Sequence, residues 1–124
     1  LGVFYAYFLL GLVLNWVFTP ITAAADFGFV LNELTSEAQN ALLRDFTSFF
    51  VATFLFSILG VITLNPVWFF SAGIVYIGAG IFNLVAIYAH GTGFNQIFIG
   101  EFVLGSWPII LGLVIYQKQK KAEE

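Results

Sequence analysis

From Ala41 to Tyr116 the chain is almost continuously apolar, and only Leu64-Asn65-Pro66 and the stretch from His90 to Asn95 break the run. A further apolar run fills Leu1 to Phe18 and stops at Thr19-Pro20. A helix that crosses a bilayer needs about 20 mostly apolar residues, because the hydrocarbon core is about 30 Å thick and each residue rises about 1.5 Å. Four stretches fit or nearly fit: about 1–18, 41–63, 66–89 and 96–116. Strands of a membrane barrel would instead alternate in polarity over segments of about ten residues. The expected fold class is therefore all-α, an integral membrane four-helix bundle forming one domain over 1–124.

Charge makes the same point. Only 9% of the residues are charged, against roughly 25% in a soluble domain, so lipid must be the main solvent. The net charge of -3 sits mostly in one loop and the tail. It leaves no basic patch to follow phosphates, which argues against nucleic acid as a partner. With no cysteine in the chain, disulfides, thiolate metal sites and thiol nucleophiles are excluded. Methionine is absent even at position 1, so the true N-terminus is expected to lie upstream of Leu1.

The connections set the expected topology. Residues 19–40 form the long connection, with Asp26, Glu33 and Glu37 but no Lys or Arg. Within it, Ala23 to Leu34 mixes apolar and acidic residues and suits a short interfacial helix. Thr35-Ser36-Glu37 reads as a helix start. Pro66 suits the first turn of a helix after a tight Leu64-Asn65 turn, and His90-Gly91-Thr92-Gly93-Phe94-Asn95 reads as a glycine-rich turn. Short turns make neighbouring helices antiparallel. Lys118, Lys120 and Lys121 follow the last span, so the positive-inside rule places the tail 117–124 in the cytoplasm. Four spans then put the N-terminus there too, with 19–40 as the outer loop. The expected location is multi-pass in a bacterial inner (cytoplasmic) membrane.

Mapped on these spans, the polar residues fall towards the outer end. They are Asn15, Arg44, Asp45, Ser48, Asn83, His90 and Glu101. A charge in hydrocarbon is costly unless it is paired, protonated or hydrated. Glu101 lies among Ile97, Phe98, Ile99, Phe102 and Val103, and Arg44 is the one cation at comparable depth. Arg44 and Glu101 are therefore expected to face each other, with Asp45 turned to the headgroups or the outer loop and Asn83 and Asn15 completing the network. His90 is the sole histidine, and no cluster has metal-ligand spacing. Gly73, Gly78 and Gly80 in the third span, and Gly105 and Gly112 in the fourth, mark expected close helix contacts. Pro108 removes a helical hydrogen bond and is expected to kink the fourth span. Trp16, Trp68 and Tyr116 are expected to anchor at the interfaces.

The order of features resembles a family of small four-helix bacterial membrane proteins, labelled domain of unknown function 4345. The resemblance covers most of the chain. It rests on Pro20, Phe27-Gly28-Phe29, Leu43-Arg44-Asp45-Phe46, the turn from His90-Gly91 to Gly93, and Glu101-Phe102-Val103-Leu104. By that resemblance Arg44 and Glu101 match the family's charged positions. The chain departs from it at Ser48-Phe49-Phe50, where the family commonly has a glycine, and at Asn83, where it often has an arginine. The family's activity is uncharacterised, so the resemblance implies architecture and no reaction.

Two functions compete. The first is a non-enzymatic accessory or structural subunit, with the lipid bilayer and other membrane subunits or a second copy as partners. The second is a small-molecule, proton or lipophilic-ligand site, or a transport role, built around Glu101 and Arg44. No nucleophile–base pair or phosphate loop can be named, so an enzyme is the weakest reading. No cofactor is expected, although bound lipid or pigment is compatible with the phenylalanine-rich spans.

Overall fold

The computed structural model describes residues 1–93 and 97–124, apart from the side chains of Ile97 and Phe98. All of its regular structure is helical: α1 (Gly2–Phe18), α2 (Pro20–Asp26), a 3-10 turn (Leu31–Glu33), α3 (Ser36–Thr63), α4 (Pro66–Ala89) and α5 (Ile97–Glu123). Three bounds differ from the sequence reading. The expected loop 19–40 contains α2, the 3-10 turn and the first turn of α3. α3 begins at Ser36, the start read from Thr35-Ser36-Glu37 and ahead of the apolar span expected from about Ala41, and α5 continues through the expected tail. Phe94, Asn95 and Gln96, part of the expected glycine-rich turn and span start, lie outside the described residues.

Local chemistry explains where the helices start and stop. Proline occupies the first turn of both α2 and α4, where its missing N–H costs nothing. The Thr35 hydroxyl accepts from the Ala38 N–H at 3.2 Å, so Thr35 caps α3. The Asn65 side chain accepts from the Val67 N–H at 3.1 Å and caps α4. Between them Leu64 turns the chain in the left-handed conformation (φ 53°), which ends α3 without a glycine. Gln119 donates to the Leu64 carbonyl at 2.7 Å, tying the far end of α5 to this turn. The residues from Gln117 to Glu124 are mostly strong helix formers, so α5 outlasts its apolar stretch.

Three helices are long and apolar enough to cross a membrane: α3 with 28 residues, α4 with 24, and the 25 residues Ile99–Glu123 of α5. α1 is apolar but shorter, at 17 residues. The surface fits a membrane protein. Phe4, Ile62, Ile74 and Phe82 all stand more than 60% exposed, whereas the hydroxyls of Thr53 and Ser57 are fully buried. Lipid is as apolar as these outward side chains, so helix association must come from close packing and hydrogen bonds.

That packing is visible at each contact. α4 and α5 meet through glycines. A Cβ on Gly73 would stand 2.8 Å from the Gly105 carbonyl, and one on Gly105 would stand 2.9 Å from the Ile77 backbone nitrogen. Gly80 lies under the Phe102 ring and Gly112 under the Phe70 ring. Gly73 and Gly80 are seven residues apart, as are Gly105 and Gly112, which puts each pair on one helix face. Gly78, expected at a contact, has nothing within 4 Å of its Cβ position and opens outward. Gly60 of α3 supplies a further close approach, under the Phe69 ring.

Trp16 of α1 stacks on Phe46 of α3 with ring centroids 4.8 Å apart, while Gly2 at the other end of α1 meets Val61. The expectation that Trp16 anchors at an interface is thus corrected. It is 2% exposed and packs inside an aromatic cluster, because Phe27, Phe46 and Phe50 converge on it. Between α3 and α4, Thr53 and Tyr76 share a hydrogen bond of 2.7 Å, and within α3 the Ser57 hydroxyl donates to the Thr53 carbonyl. Pro108 sits inside an α5 that runs unbroken from Ile97 to Glu123. Having no N–H, Pro108 leaves the Leu104 carbonyl, four residues back, without its helical donor. The Tyr5 hydroxyl donates to that carbonyl at 2.8 Å and so fastens α1 to α5.

Candidate functional site

Beyond the Tyr5 contact, on the side of Asp26 and Asp45, the helices enclose a cavity of about 490 Å³ that opens to the surface. Every α-helix contributes to its wall. Phe8 and Leu12 come from α1, and Asp26 from the end of α2, with Phe27 just after it. Asp45, Phe46, Phe49 and Phe50 come from α3, Tyr76 and Ala79 from α4, and Gly100, Glu101 and Leu104 from α5. The spacing along α3 explains its share: positions 45/46 and 49/50 recur after four residues and therefore lie on one face.

The aromatic side chains of the wall pack on one another. Phe49 meets Tyr76 edge to face at 4.9 Å, and Phe27 meets Phe46 edge to face at 5.4 Å. Phe46 is held from behind by Trp16 and flanked by Phe29 at 5.8 Å. Such pairs are worth about 0.5–1.5 kcal/mol each beyond the area they bury. The Tyr76 hydroxyl is taken by Thr53, so the ring is what Tyr76 offers to the space. Pockets of about 300–1,000 Å³ with apolar walls and a few placed polar groups are the usual form of small-molecule sites.

The polar cluster read from the sequence is largely taken apart by the structure. Arg44 does not meet Glu101. Its Nε donates to Asp45 at 2.9 Å, and both side chains are about two-thirds exposed or more, at 70% and 67%. The reason is geometric. α3 packs on α1 and α4, while α5 packs chiefly on α4, so Arg44 and Glu101 stand on helices that are not close neighbours. Asp45, expected to point toward the headgroups or the outer loop, is largely exposed, holds the arginine and lines the cavity. Glu101 is half-buried and accepts from the Asn83 side-chain amide of α4 at 3.4 Å, so this one expected neighbour is present.

No family model, curated protein or solved structure matches this chain.

The other expected members stand apart. Asn15 is exposed near the end of α1, where its carbonyl accepts from the Thr19 hydroxyl at 3.0 Å. Ser48 is exposed on α3. His90 is exposed and closes α4 through its backbone N–H to Ala86. Among the described residues, no group of three His, Cys, Asp or Glu is placed to hold a metal ion.

Several residues of the wall carried no signal as a site in the sequence. Asp26, Phe27 and Tyr76 are of this kind, because they lie far apart in the chain and only packing collects them. The available hint was that Asp26-Phe27 repeats the acidic–aromatic pair of Asp45-Phe46.

Proposed function

We propose that this protein is a multi-pass membrane protein whose open, aromatic-walled cavity binds a lipophilic small molecule. The cavity of about 490 Å³ is the observation that carries the reading. A structural subunit needs only closed packing, whereas this chain spends five helices and six aromatic side chains on surrounding an open space. That tips the balance from an accessory subunit to a binding protein.

In this reading α1 is a fourth span beside the three long helices. The contacts support an antiparallel arrangement, since rising positions on one helix meet falling positions on the next. Gly73 lies against Gly105 and Gly80 against Phe102; Trp16 lies against Phe46 and Gly2 against Val61. Gln119 beside Leu64 places the lysine-bearing end of α5 next to the α3–α4 turn. With Lys118, Lys120 and Lys121 at that end, both termini lie in the cytoplasm and the cavity mouth faces outward, as in a bacterial inner membrane.

Native mass spectrometry of the protein purified in mild detergent tests the proposal. The expected result is one bound lipophilic molecule per chain, lost when Ala79→Phe fills the cavity in a protein of unchanged helical content. A bare wild-type mass, or the same adduct on both proteins, contradicts it.

A further inference from the structure

The chemistry of the wall narrows the ligand, given the binding role proposed above. Three carboxyl side chains from three separate elements line the cavity: Asp26, Asp45 and Glu101. No Lys, Arg or His is on that wall. Asp45 is already balanced by Arg44, whose guanidinium reaches both of its oxygens, at 2.9 and 3.5 Å. Glu101 receives only a neutral amide, from Asn83. Arg44–Asp45 is the one ion pair among the described residues, so Asp26 and Glu101 remain without a cation.

The remaining wall is mostly ring. Phe8, Phe27, Phe46, Phe49, Phe50 and Tyr76 all line the space. Ring faces carry negative potential and attract cations, most strongly where water is scarce. Carboxyls and ring faces therefore favour the same sign of guest. A bare metal ion does not fit this picture, because the carboxyls are spread around a wide space and form no ligand group. We infer that the cavity selects a lipophilic cation, meaning an apolar or aromatic body that bears an amine, quaternary ammonium or phosphonium charge.

The inference separates from the binding role by charge. Purified protein in mild detergent is titrated calorimetrically, with protein-free micelles as the blank. Three compounds of similar shape serve as probes: tetraphenylphosphonium, neutral triphenylphosphine oxide and the anion tetraphenylborate. The expected order is cation first, the neutral compound weaker, and the anion unbound. Glu101→Gln and Asp26→Asn should each weaken the cation by roughly threefold or more, the size of a partly exposed charge contact, and weaken the cation more than the neutral compound. Asp26 is exposed, so its variant keeps the test available if Glu101→Gln fails to accumulate. Equal affinity for cation and neutral compound, or cation affinity indifferent to both substitutions, overturns the charge inference and leaves the binding role standing. No binding by any of the three overturns both.

Discussion

The hydrogen bond from Tyr5 to Leu104 shows how a single residue can correct a defect made by another. Pro108 strips the Leu104 carbonyl of its helical partner, and the Tyr5 hydroxyl replaces it at 2.8 Å from a fully buried side chain. Leaving such a carbonyl unsatisfied costs about 1–3 kcal/mol. Tyr5→Phe should therefore lower stability by that amount in reversible unfolding from detergent. In a Pro108→Ala background the restored N–H reaches Leu104, so the same change should cost clearly less. Simple additivity of the two substitutions would show that the bond does not compensate for the proline. Half of this arrangement was legible in the sequence, since any proline inside a helix frees the carbonyl four residues back. Tyr5 was not, because a partner 99 positions away is chosen by packing. Arg44 illustrates the converse. Depth along the spans put it level with Glu101, but depth says nothing about which way a helix face points, and Asp45 next door was a nearer partner.

Among the elements, α4 and α5 make the closest approach, and glycine is what permits it. A methyl at Gly73 would press on the Gly105 carbonyl oxygen, a backbone atom that cannot rotate away. Gly73→Ala should lower stability by about 1–3 kcal/mol, as overpacking does. Gly78→Ala, one and a half turns further along and facing open space, should be neutral or raise stability by up to about 1 kcal/mol, the ordinary gain of alanine over glycine in a helix. Thermal melts of both variants decide this, and equal losses would mean that the glycines serve chain flexibility and not contact. Hydropathy located the elements well where polarity and helix end together: Asn65-Pro66 opens α4 and its apolar run closes it at Ala89. It placed the start of α3 and the end of α5 too far inward, because Glu37, Gln39, Asn40 and the Gln-Lys tail are polar but helical. Helices continue past the membrane edge, and an apolar window registers the edge.

Taken whole, the molecule has many large apolar side chains outside, the Thr53 and Ser57 hydroxyls and the contact glycines inside, and an open space between the helices. The outside was legible from composition, because so few charges cannot clothe a chain in water. The open space was not, because it depends on how far α1 and α5 stand apart beyond Tyr5 and Leu104. The chain has no cysteine, so a single introduced thiol can report on that space without background. Ala79 lines the cavity, and Ala72, two turns earlier on the same face of α4, is 0% exposed. The most direct test compares N-ethylmaleimide labelling of Ala79→Cys and Ala72→Cys in the detergent-solubilised protein. An open cavity requires that the thiol at position 79 reacts while the one at position 72 stays protected. Protection at both positions, or equal reaction at both, would contradict it.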